Sequence, residues 1–231
     1  MARCVVVLGI HRSGTSATAG VLHHLGVEMG PKLIGPTPAN PRGHFEDMDL
    51  AQLNDLALGS WSSPVPAVTA WRPQFERHLI DRARSASPFG LKDPRLCLTW
   101  EYLEPWIKSL PMVDDVRVVV VSRPFLQSVR SLMRRDGWSR DRAIQIQSIH
   151  QYKLVENVER LRAVGTPLMG IEFGRLLNHP QEVVEELAAF CWDGIPGAPG
   201  HDARQAAARF IDPQLDREGR SGSSTDQERA A

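Results

Sequence analysis

The sequence lacks the features that hold a small secreted or membrane-bound protein together. It has only three cysteines, Cys4, Cys97 and Cys191, which are too far apart and odd in number for a disulfide framework or a zinc site. No run approaches the roughly twenty apolar residues of a membrane span. The run Cys4–Gly9 is also too short for the apolar region of a signal peptide. These absences predict a cytoplasmic protein with reduced, buried cysteines.

The sequence also lacks an excess of charge of either sign. Its 27 Lys and Arg residues equal its 27 Asp and Glu residues, and no long run of like charge occurs. We therefore expect no basic face for nucleic acid or for an anionic membrane surface. Any anionic ligand must be bound at a local site.

Short apolar strands alternate with helices along the chain. Strands are predicted at Val5–Leu8, Gly90–Lys92, Arg117–Val121 and Pro167–Ile171, two of them β-branched runs typical of strands buried on both faces. Helical spacing covers Thr15–Leu25, Asp47–Leu58, Pro73–Ser85, a segment ending near Arg135, Asp141–Val164 and Pro180–Phe190. The helix Asp141–Val164 carries an apolar stripe of Ile149, Tyr152, Val155 and Val158.

This alternation predicts parallel strand pairing. We expect a single-domain, three-layer α/β/α sandwich with a central parallel sheet, similar to P-loop NTPases, over residues 1–211. The chain of 231 residues is long enough to bury such a core. After Asp212 the sequence is rich in Gly, Ser and charged residues, which predicts a disordered tail over residues 212–231.

The segment Gly9–Ser16 (GIHRSGTS) lies between the first strand and the first helix. Backbone N–H groups at such a junction bind anions. The spacing from Gly9 to Gly14 equals that of a Walker A loop, but Thr15 stands where an ATPase needs lysine. Arg12 instead supplies a permanent charge suited to phosphate or sulfate oxygens. The loop therefore predicts an anion site and disfavours a kinase or ATPase.

A second candidate phosphate site follows the strand Arg117–Val121. Arg123 ends that strand, and Ser131 lies eight residues further, about two turns along the next helix. A loop and a helix face therefore approach one anion. We assign the neighbouring Arg130, Arg134 and Arg135 to the exposed face of this helix.

The two motifs together resemble the P-loop-like sulfotransferases, which use 3′-phosphoadenosine 5′-phosphosulfate. An arginine before Ser-Gly-Thr-Ser resembles the tyrosylprotein and carbohydrate branches rather than the cytosolic aryl branch, which has lysine there. The resemblance implies that Arg123 and Ser131 bind the 3′-phosphate. It also implies that the 5′-phosphosulfate is bound by Arg12, Ser13, Gly14, Thr15 and Ser16.

Acid–base candidates are concentrated after a proline-rich loop, in Gly43–Asp47. Sulfuryl transfer needs a base for the acceptor hydroxyl and cations for the sulfuryl oxygens, and in principle it needs no metal. The resemblance to the tyrosylprotein and bacterial enzymes favours Glu46 as the base, and His44 and Asp47 remain alternatives. Asp47 is equally well placed to cap the following helix.

The segment Lys92–Arg95 resembles the Lys-Asp-Pro segment of the tyrosylprotein enzymes. The resemblance implies that Lys92 stabilises the transition state together with Arg12, that Asp93 orients a partner and that Arg95 reaches the acceptor. The same residues also fit an ordinary turn, because a residue before proline avoids the helical conformation.

Two further segments resemble parts of the family. Ile171–Leu177 is similar to its acidic strand-to-helix segment, and Arg217–Gly222 is similar to a C-terminal nucleotide loop. The interval Gly30–Arg72, which contains Trp61 and Trp71, is expected to shape the acceptor site because loops carry specificity.

The sequence thus predicts a sulfotransferase whose acceptor is a small molecule or a glycan, with no nucleic-acid partner. The oligomeric state is left open. Two alternatives remain: a P-loop kinase-like phosphotransferase, which would need magnesium, and a non-catalytic nucleotide-binding module.

Overall fold

A computed structural model describes residues 2–59, 67–85 and 88–215 of the chain. In these ranges the strands β1 to β4 lie at Ala2–Leu8, Phe89–Lys92, Val113–Ser122 and Leu168–Glu172. The helices α1 to α9 lie at Thr15–His24, Met48–Leu58, Arg72–Ser85, Leu96–Ser109, Phe125–Asp136, Arg140–Ala163, Phe173–Asn178, Pro180–Trp192 and His201–Phe210. None of the helices in the described part of the chain is long and apolar enough to cross a membrane.

The four strands form one sheet in the order β2-β1-β3-β4, and all neighbouring pairs are parallel. The central strand β1 pairs with both neighbours, so that Val5 lies opposite Gly90 on one side and Arg117 on the other. The chain leaves β1 towards β2 and then crosses to β3 on the opposite side. A crevice therefore opens at the carboxyl ends of β1 and β3, where ligands bind in α/β sheets of this type.

Helices cover both faces of this sheet. Cys4, Val6 and Leu8 of β1 pack on one face against a core that includes α3, α4 and α6. Val5 and Val7 pack on the other face with α1, α8 and α9. These five side chains have no solvent exposure, as expected where alternate residues of a strand point to opposite faces. The predicted three-layer α/β/α architecture with a parallel sheet is confirmed.

The long helix is present as α6, and Val158 of its predicted apolar stripe packs against the core, but the stripe is wrong at Tyr152 and Val155. Tyr152 and Val155 are 63% and 45% exposed. The buried face instead carries Ala143, Ile146, Gln147, His150, Leu154, Asn157 and Leu161. Its polar members are compatible with burial because they are hydrogen-bonded: Gln147 Nε2 donates to His11 O at 2.6 Å and Asn157 Nδ2 to Cys97 O at 2.9 Å.

Three of the helices in the described ranges, α4, α7 and α9, have no counterpart in the predicted helical spacing. The helix α4 follows directly on the Lys92–Arg95 segment and has Pro105 in its interior, a residue that usually ends a helix. The helix α9 packs on α1 and brings Ala207 and Ala208 into the core. The predicted domain boundary at residue 211 stays a prediction, and most of the predicted tail, including Arg217–Gly222, lies outside the described residues.

Candidate active site

A cavity of about 390 Å³ lies at the carboxyl ends of the strands, within the size range of small-molecule sites, roughly 300–1,000 Å³. Each strand is followed by residues that line the cavity. Arg12 comes from the loop after β1, Lys92 from the end of β2, Arg123 from the loop after β3, and Phe173 from the start of α7 after β4. The sheet thus gathers groups from four distant parts of the sequence at one edge.

Most of the predicted site residues meet in this cavity, and those that do not line it are Ser13, Asp47, Asp93 and Arg95. Its lining includes Arg12, Gly14, Thr15, Ser16, His44, Glu46, Lys92, Arg123 and Ser131. Ser13 lies beneath the loop: its side chain is fully buried and its Oγ donates to Ile10 O at 2.8 Å. The role of Ser13 visible in the structure is therefore to hold the shape of the loop.

The loop between β1 and α1 depends on two left-handed backbone conformations. Arg12 has φ 63° and Gly14 has φ 101°. In the described part of the chain no side chain caps α1 at Gly14, and Thr15, Ser16 and Ala17 of its first turn line the cavity, where a helix has N–H groups without intrahelical partners. This end of the helix is positive and suits an anion.

Replacing Gly14 with alanine is expected to lower the free energy of unfolding by more than the about 1–2 kcal/mol that a left-handed conformation costs an L-residue. The added Cβ would lie 2.3 Å from Phe173 Cδ2. Urea denaturation measures the loss. Gly137→Ala is the matched control, since Gly137 has φ 67° and no described atom within 4 Å of the new Cβ. Equal losses in the two variants would contradict the proposed clash.

The two predicted phosphate motifs are in direct contact. Arg12 Nε donates to Ser131 Oγ at 3.0 Å, and Arg123 Nη1 donates to Arg12 O at 3.3 Å. The Arg123 guanidinium also lies over the Phe173 ring, 5.0 Å from its centroid, a distance at which a cation is attracted to an aromatic face. The motif after β1 and the motif after β3 therefore form one site.

Two further arginines belong to this site. Arg134 and Arg135 follow Ser131 by three and four residues on α5, so they share its helix face, and both line the cavity. The prediction that they belong only to the exposed face is wrong for Arg135, which is half-buried, whereas Arg130 is exposed and away from the cavity. The sequence signal that could have identified Arg134 and Arg135 is their helical spacing of three and four residues from Ser131.

The arginines around the cavity repel one another. Burial, followed by the positive charges of Arg135 and Arg123, lowers the pKa of Arg12 to about 10. Asp136 partly balances the cluster by pairing with Arg135, with a distance of 2.7 Å from Nε to Oδ1. A partly buried cluster of like charges favours the binding of an anion.

Lys92 and Glu46 form a buried ion pair at the base of the cavity. Lys92 is 1% exposed, and its Nζ lies 2.5 Å from Glu46 Oε1. The same ammonium donates to Ser16 Oγ at 2.8 Å and to His44 O at 3.0 Å. Three donors on one lysine are thus all used, and they join β2, the first turn of α1 and the segment that contains Glu46.

The charge of Lys92 determines the protonation of Glu46. Burial alone would raise the pKa of Glu46, but the charge and hydrogen bond of Lys92, with smaller effects from His44 and Arg95, lower it. Glu46 is therefore ionised at neutral pH and can accept a proton. Its basicity is weakest while Lys92 is in contact.

His44 is placed beside Glu46 but is held by a different residue. Its Nε2 lies 3.0 Å from Thr37 Oγ1, and its Nδ1 lies 3.9 Å from Glu46 Oε1. Burial lowers the pKa of His44, Glu46 opposes this effect and Lys92 adds to it. His44 is thus neutral at pH 7 and can accept a proton.

Asp47, the third candidate base, has a structural role. It caps α2, where its Oδ1 accepts a hydrogen bond from Asp49 N at 3.0 Å, and its Oδ2 accepts one from Arg82 Nη1 at 2.8 Å. Asp47 does not line the cavity. The capping function noted in the sequence is the one that the structure supports.

Asp93 and Arg95 form a network behind Lys92. Asp93 is fully buried and accepts hydrogen bonds from Arg95 N at 2.8 Å and Arg95 Nε at 2.9 Å. Arg95 also pairs with Asp55. Asp93 thus orients a partner as expected, and that partner is Arg95. Pro94 lines the cavity but Arg95 does not, so the expected contact of Arg95 with an acceptor has no support here.

The proline-rich loop lines the cavity with residues 38–43. It folds back on itself, with Ile34 N donating to Glu46 O at 2.8 Å. Arg12 Nη2 donates to Ala39 O at 3.1 Å near its tip. Of the two tryptophans expected near the acceptor, Trp71 packs against the core instead and Trp61 lies outside the described residues.

The C-terminal end of α9 supplies a wall that the sequence did not indicate. Phe210, Ile211 and Asp212 line the cavity. Arg42 of the proline-rich loop lies 3.2 Å from Asp212 Oδ2, measured from its Nη2, and its guanidinium is 5.4 Å from the Phe210 ring centroid. Nothing in the local sequence of Phe210 marks it as part of a site, because only packing against α1 brings it there.

Comparison with known proteins identifies the fold of this chain. No protein-family model matches the sequence, and a search of curated proteins finds no significant match. A sulfotransferase domain of the olefin synthase from Synechococcus PCC 7002 superposes with a TM-score of 0.59 at 17% identity, covering 95% of this chain and 87% of that domain. A sulfotransferase domain of the curacin biosynthetic pathway superposes with a TM-score of 0.52 at 15% identity, covering 94% and 89%. The chain therefore has a sulfotransferase-type, P-loop-like α/β fold.

Proposed function

We propose that this protein is a sulfotransferase that transfers a sulfuryl group from 3′-phosphoadenosine 5′-phosphosulfate to a hydroxyl of a carbohydrate, a lipid or a natural product. The observation that carries the proposal is the contact between the two predicted phosphate motifs, Arg12 with Ser131 and Arg123 with the Arg12 carbonyl. The buried Lys92–Glu46 pair opens on the same cavity. The sulfotransferase-type fold supports the same proposal.

The donor would bind across the carboxyl edge of the sheet. Its 5′-phosphosulfate fits the loop Arg12–Ser16, where the positive end of α1 and the Arg12 guanidinium both favour an anion. Its 3′-phosphate fits Arg123 and Ser131, with charge added by Arg134 and Arg135. The like-charged cluster would then be neutralised by the ligand.

Glu46 is proposed as the base. Its carboxylate accepts the proton of the acceptor hydroxyl as the acceptor oxygen attacks sulfur in line. The S–O bond to the 5′-phosphate breaks, and its electron pair stays on the departing adenosine 3′,5′-bisphosphate. Lys92 and Arg12 stabilise the negative charge that develops on the sulfuryl and bridging oxygens. His44, which is 3.9 Å from the Glu46 carboxylate, is the alternative proton acceptor.

The ion pair gives Lys92 a second role in this proposal. Without a donor, Lys92 is bound to Glu46 and Ser16 and keeps Glu46 a weak base. A phosphosulfate in the loop would attract the Lys92 ammonium, and the pKa of Glu46 would then rise because burial would no longer be offset. Glu46 would thus become a better base only after the donor has bound.

A kinase-like reaction receives less support. Thr15 occupies the position of the Walker lysine and lies buried at the start of α1, whereas Lys92 reaches the cavity from β2. A nucleotide-binding module without activity would bind the bisphosphate but turn over no acceptor. The two alternatives therefore differ from the proposal in ligand and in turnover.

A thermal-shift comparison tests the donor class first. Adenosine 3′,5′-bisphosphate at about a hundredfold its Kd should add about 2.7 kcal/mol of stability, which for a domain of this size raises Tm by about 5 to 10 °C. Magnesium ATP at the same concentration should have little effect. The shift should be lost in Arg123→Ala and kept in Arg130→Ala, which removes the same charge from outside the cavity.

A shift with magnesium ATP alone would overturn the proposal in favour of a phosphotransferase. A shift with the bisphosphate leads to a screen of sugar, lipid and natural-product hydroxyls with the sulfate donor. Failure of every acceptor in that screen would favour the binding module.

A further inference from the structure

Arg82 lies on α3, outside the cavity, and is among the most deeply buried charged residues of the protein at 2% exposure. Its guanidinium donates to three backbone carbonyls, Glu28 O at 2.6 Å, Gly90 O at 3.1 Å and Met29 O at 3.3 Å. It also pairs with two carboxylates, Glu28 at 2.7 Å and Asp47 at 2.8 Å. A buried side chain that binds three carbonyls and two carboxylates is expected to have a specific role.

The groups bound by Arg82 belong to the two segments that carry the Lys92–Glu46 pair. Gly90 lies two residues before Lys92 on β2, and Asp47 directly follows Glu46. The side chain of Lys92 joins the two segments on the cavity side, through Glu46 and the His44 carbonyl. On the side of Arg82, Gly90 N donates to Glu28 O at 2.7 Å, and Arg82 binds this same Glu28 together with Asp47. Arg82 therefore contacts both supports of the pair at once.

We propose that Arg82 is a positioning residue for the proposed base: it fixes the segment of Glu46 against the strand of Lys92 and so sets the contact between their side chains. It touches neither the cavity nor a ligand and acts only through Asp47 and Gly90. The effect on catalysis rests on the proposed function, whereas the effect on Glu46 itself does not.

Arginine is the side chain that this role requires. Its planar fork presents five N–H donors in fixed directions and stays charged when buried. Lysine would keep the charge, but as a point charge on a flexible stem it cannot hold carbonyls and carboxylates on two segments in one geometry. A substitution that keeps the charge therefore separates positioning from simple electrostatics.

Displacement of the Glu46 segment would change the titration of its carboxyl group. The titratable groups that face Glu46 are Lys92 from β2, His44 from its own segment, and Asp93 and Arg95 from the turn between β2 and α4. Lys92 is the largest of the influences that lower the pKa of Glu46 against the effect of burial. A longer distance to Lys92 would leave burial dominant, and Glu46 would titrate at higher pH.

The test is the titration of Glu46 followed by 13C NMR of carboxyl-labelled glutamate in the full-length protein, with its signal identified by its loss in Glu46→Gln. In Arg82→Lys the titration is expected to move to higher pH. Asp47→Asn should move it in the same direction, because asparagine is as good a helix cap as aspartate but lacks the charge that pairs with Arg82. If Arg82→Lys does not fold, Asp47→Asn decides.

Arg3→Lys is the matched control. Arg3 is a buried arginine at the opposite end of β1, where its Nε donates to Asp115 Oδ2 at 2.7 Å and its Nη1 to Cys191 O at 2.8 Å. It should cost stability but leave the Glu46 titration unchanged. Affinity for adenosine 3′,5′-bisphosphate should stay within about twofold in Arg82→Lys, because the phosphate motifs are distant from the substitution.

An unchanged Glu46 titration in folded Arg82→Lys and Asp47→Asn would overturn the positioning role. An equal change in Arg3→Lys would overturn it as well, since the effect would then follow from general destabilisation. Neither result depends on turnover. Absence of turnover or of bisphosphate binding in the wild-type protein would instead count against the proposed function alone.

Discussion

Replacing Glu46 with glutamine is expected to lower kcat by about 10²- to 10⁴-fold, the usual contribution of a general base, and to leave the affinity for adenosine 3′,5′-bisphosphate nearly unchanged. Glutamine keeps the size of the side chain and an oxygen that can accept the hydrogen bond of Lys92, now 2.5 Å from Glu46. It cannot take a proton from an acceptor hydroxyl. Steady-state kinetics and bisphosphate titration measure the two quantities.

The matched variant for this experiment is His44→Gln. If Glu46 is the base, His44→Gln should reduce kcat less than Glu46→Gln, because its imidazole is bound to Thr37 and lies beside the base. Wild-type turnover in Glu46→Gln together with a large loss in His44→Gln would transfer the role to His44. Loss of bisphosphate affinity in Glu46→Gln would show that the substitution damages the donor site and not only the proton transfer.

Replacing Lys92 with methionine is expected to lower the free energy of unfolding at neutral pH by about 3–5 kcal/mol, the cost of leaving one charge of a buried pair without its partner. It should also abolish most of the turnover, since the cation proposed to stabilise the transition state is removed. Methionine matches the length of lysine and suits the buried position. Denaturation by urea measures the stability.

The pH dependence of this loss has a definite sign. In the wild-type protein the pKa of Glu46 is lowered, so the pair stabilises the fold above the unfolded pKa of glutamate, about 4.3, and the stabilisation is lost as pH falls. In Lys92→Met the largest influence that lowers the pKa of Glu46 is gone, so burial dominates and raises it. The folded state then binds more protons than the unfolded state, and its stability falls as pH rises. The deficit should therefore be larger at pH 7 than near pH 4.

The double variant Lys92→Met with Glu46→Gln is the control for this interpretation. It removes both charges, and replacing both members of a buried pair is often close to neutral. We expect it to recover most of the stability at pH 7 but none of the activity. A double variant as unstable as Lys92→Met would show that packing around Lys92, and not the unpaired carboxylate, is responsible.

Long-range packing accounts for the features that the sequence pattern missed. The buried face of α6 includes Gln147 and Asn157, whose amide nitrogens donate to the carbonyls of His11 and Cys97. Such partners come from distant segments, so apolar periodicity placed the stripe on Tyr152 and Val155 instead. The sequence predicted the helix correctly because helical spacing is a local property of the chain. The predicted buried face was wrong because burial depends on distant segments that pack against the helix.

The residues of the candidate site also fall into those that the sequence pattern could predict and those that only long-range packing determines. Arg12, Arg123 and Ser131 could be predicted because each stands at a strand end or at a fixed helical spacing from one, and parallel strands bring their carboxyl ends to one edge. Phe210 could not be predicted, since only the packing of α9 on α1 carries it to the cavity. Arg82 could not be predicted either, since it acts through carbonyls that no sequence pattern marks.

The sequence by itself determined the α/β class, the parallel sheet and the anion-binding loops, because these follow from short buried strands, helical spacing and glycine at turns. Only the tertiary structure decided which contacts the candidate site residues make. It paired Glu46 with Lys92, used Asp47 as a helix cap and brought Arg135 to Arg12. Charge interactions of this kind depend on distances of a few ångströms between residues far apart in the chain, which composition and spacing do not specify.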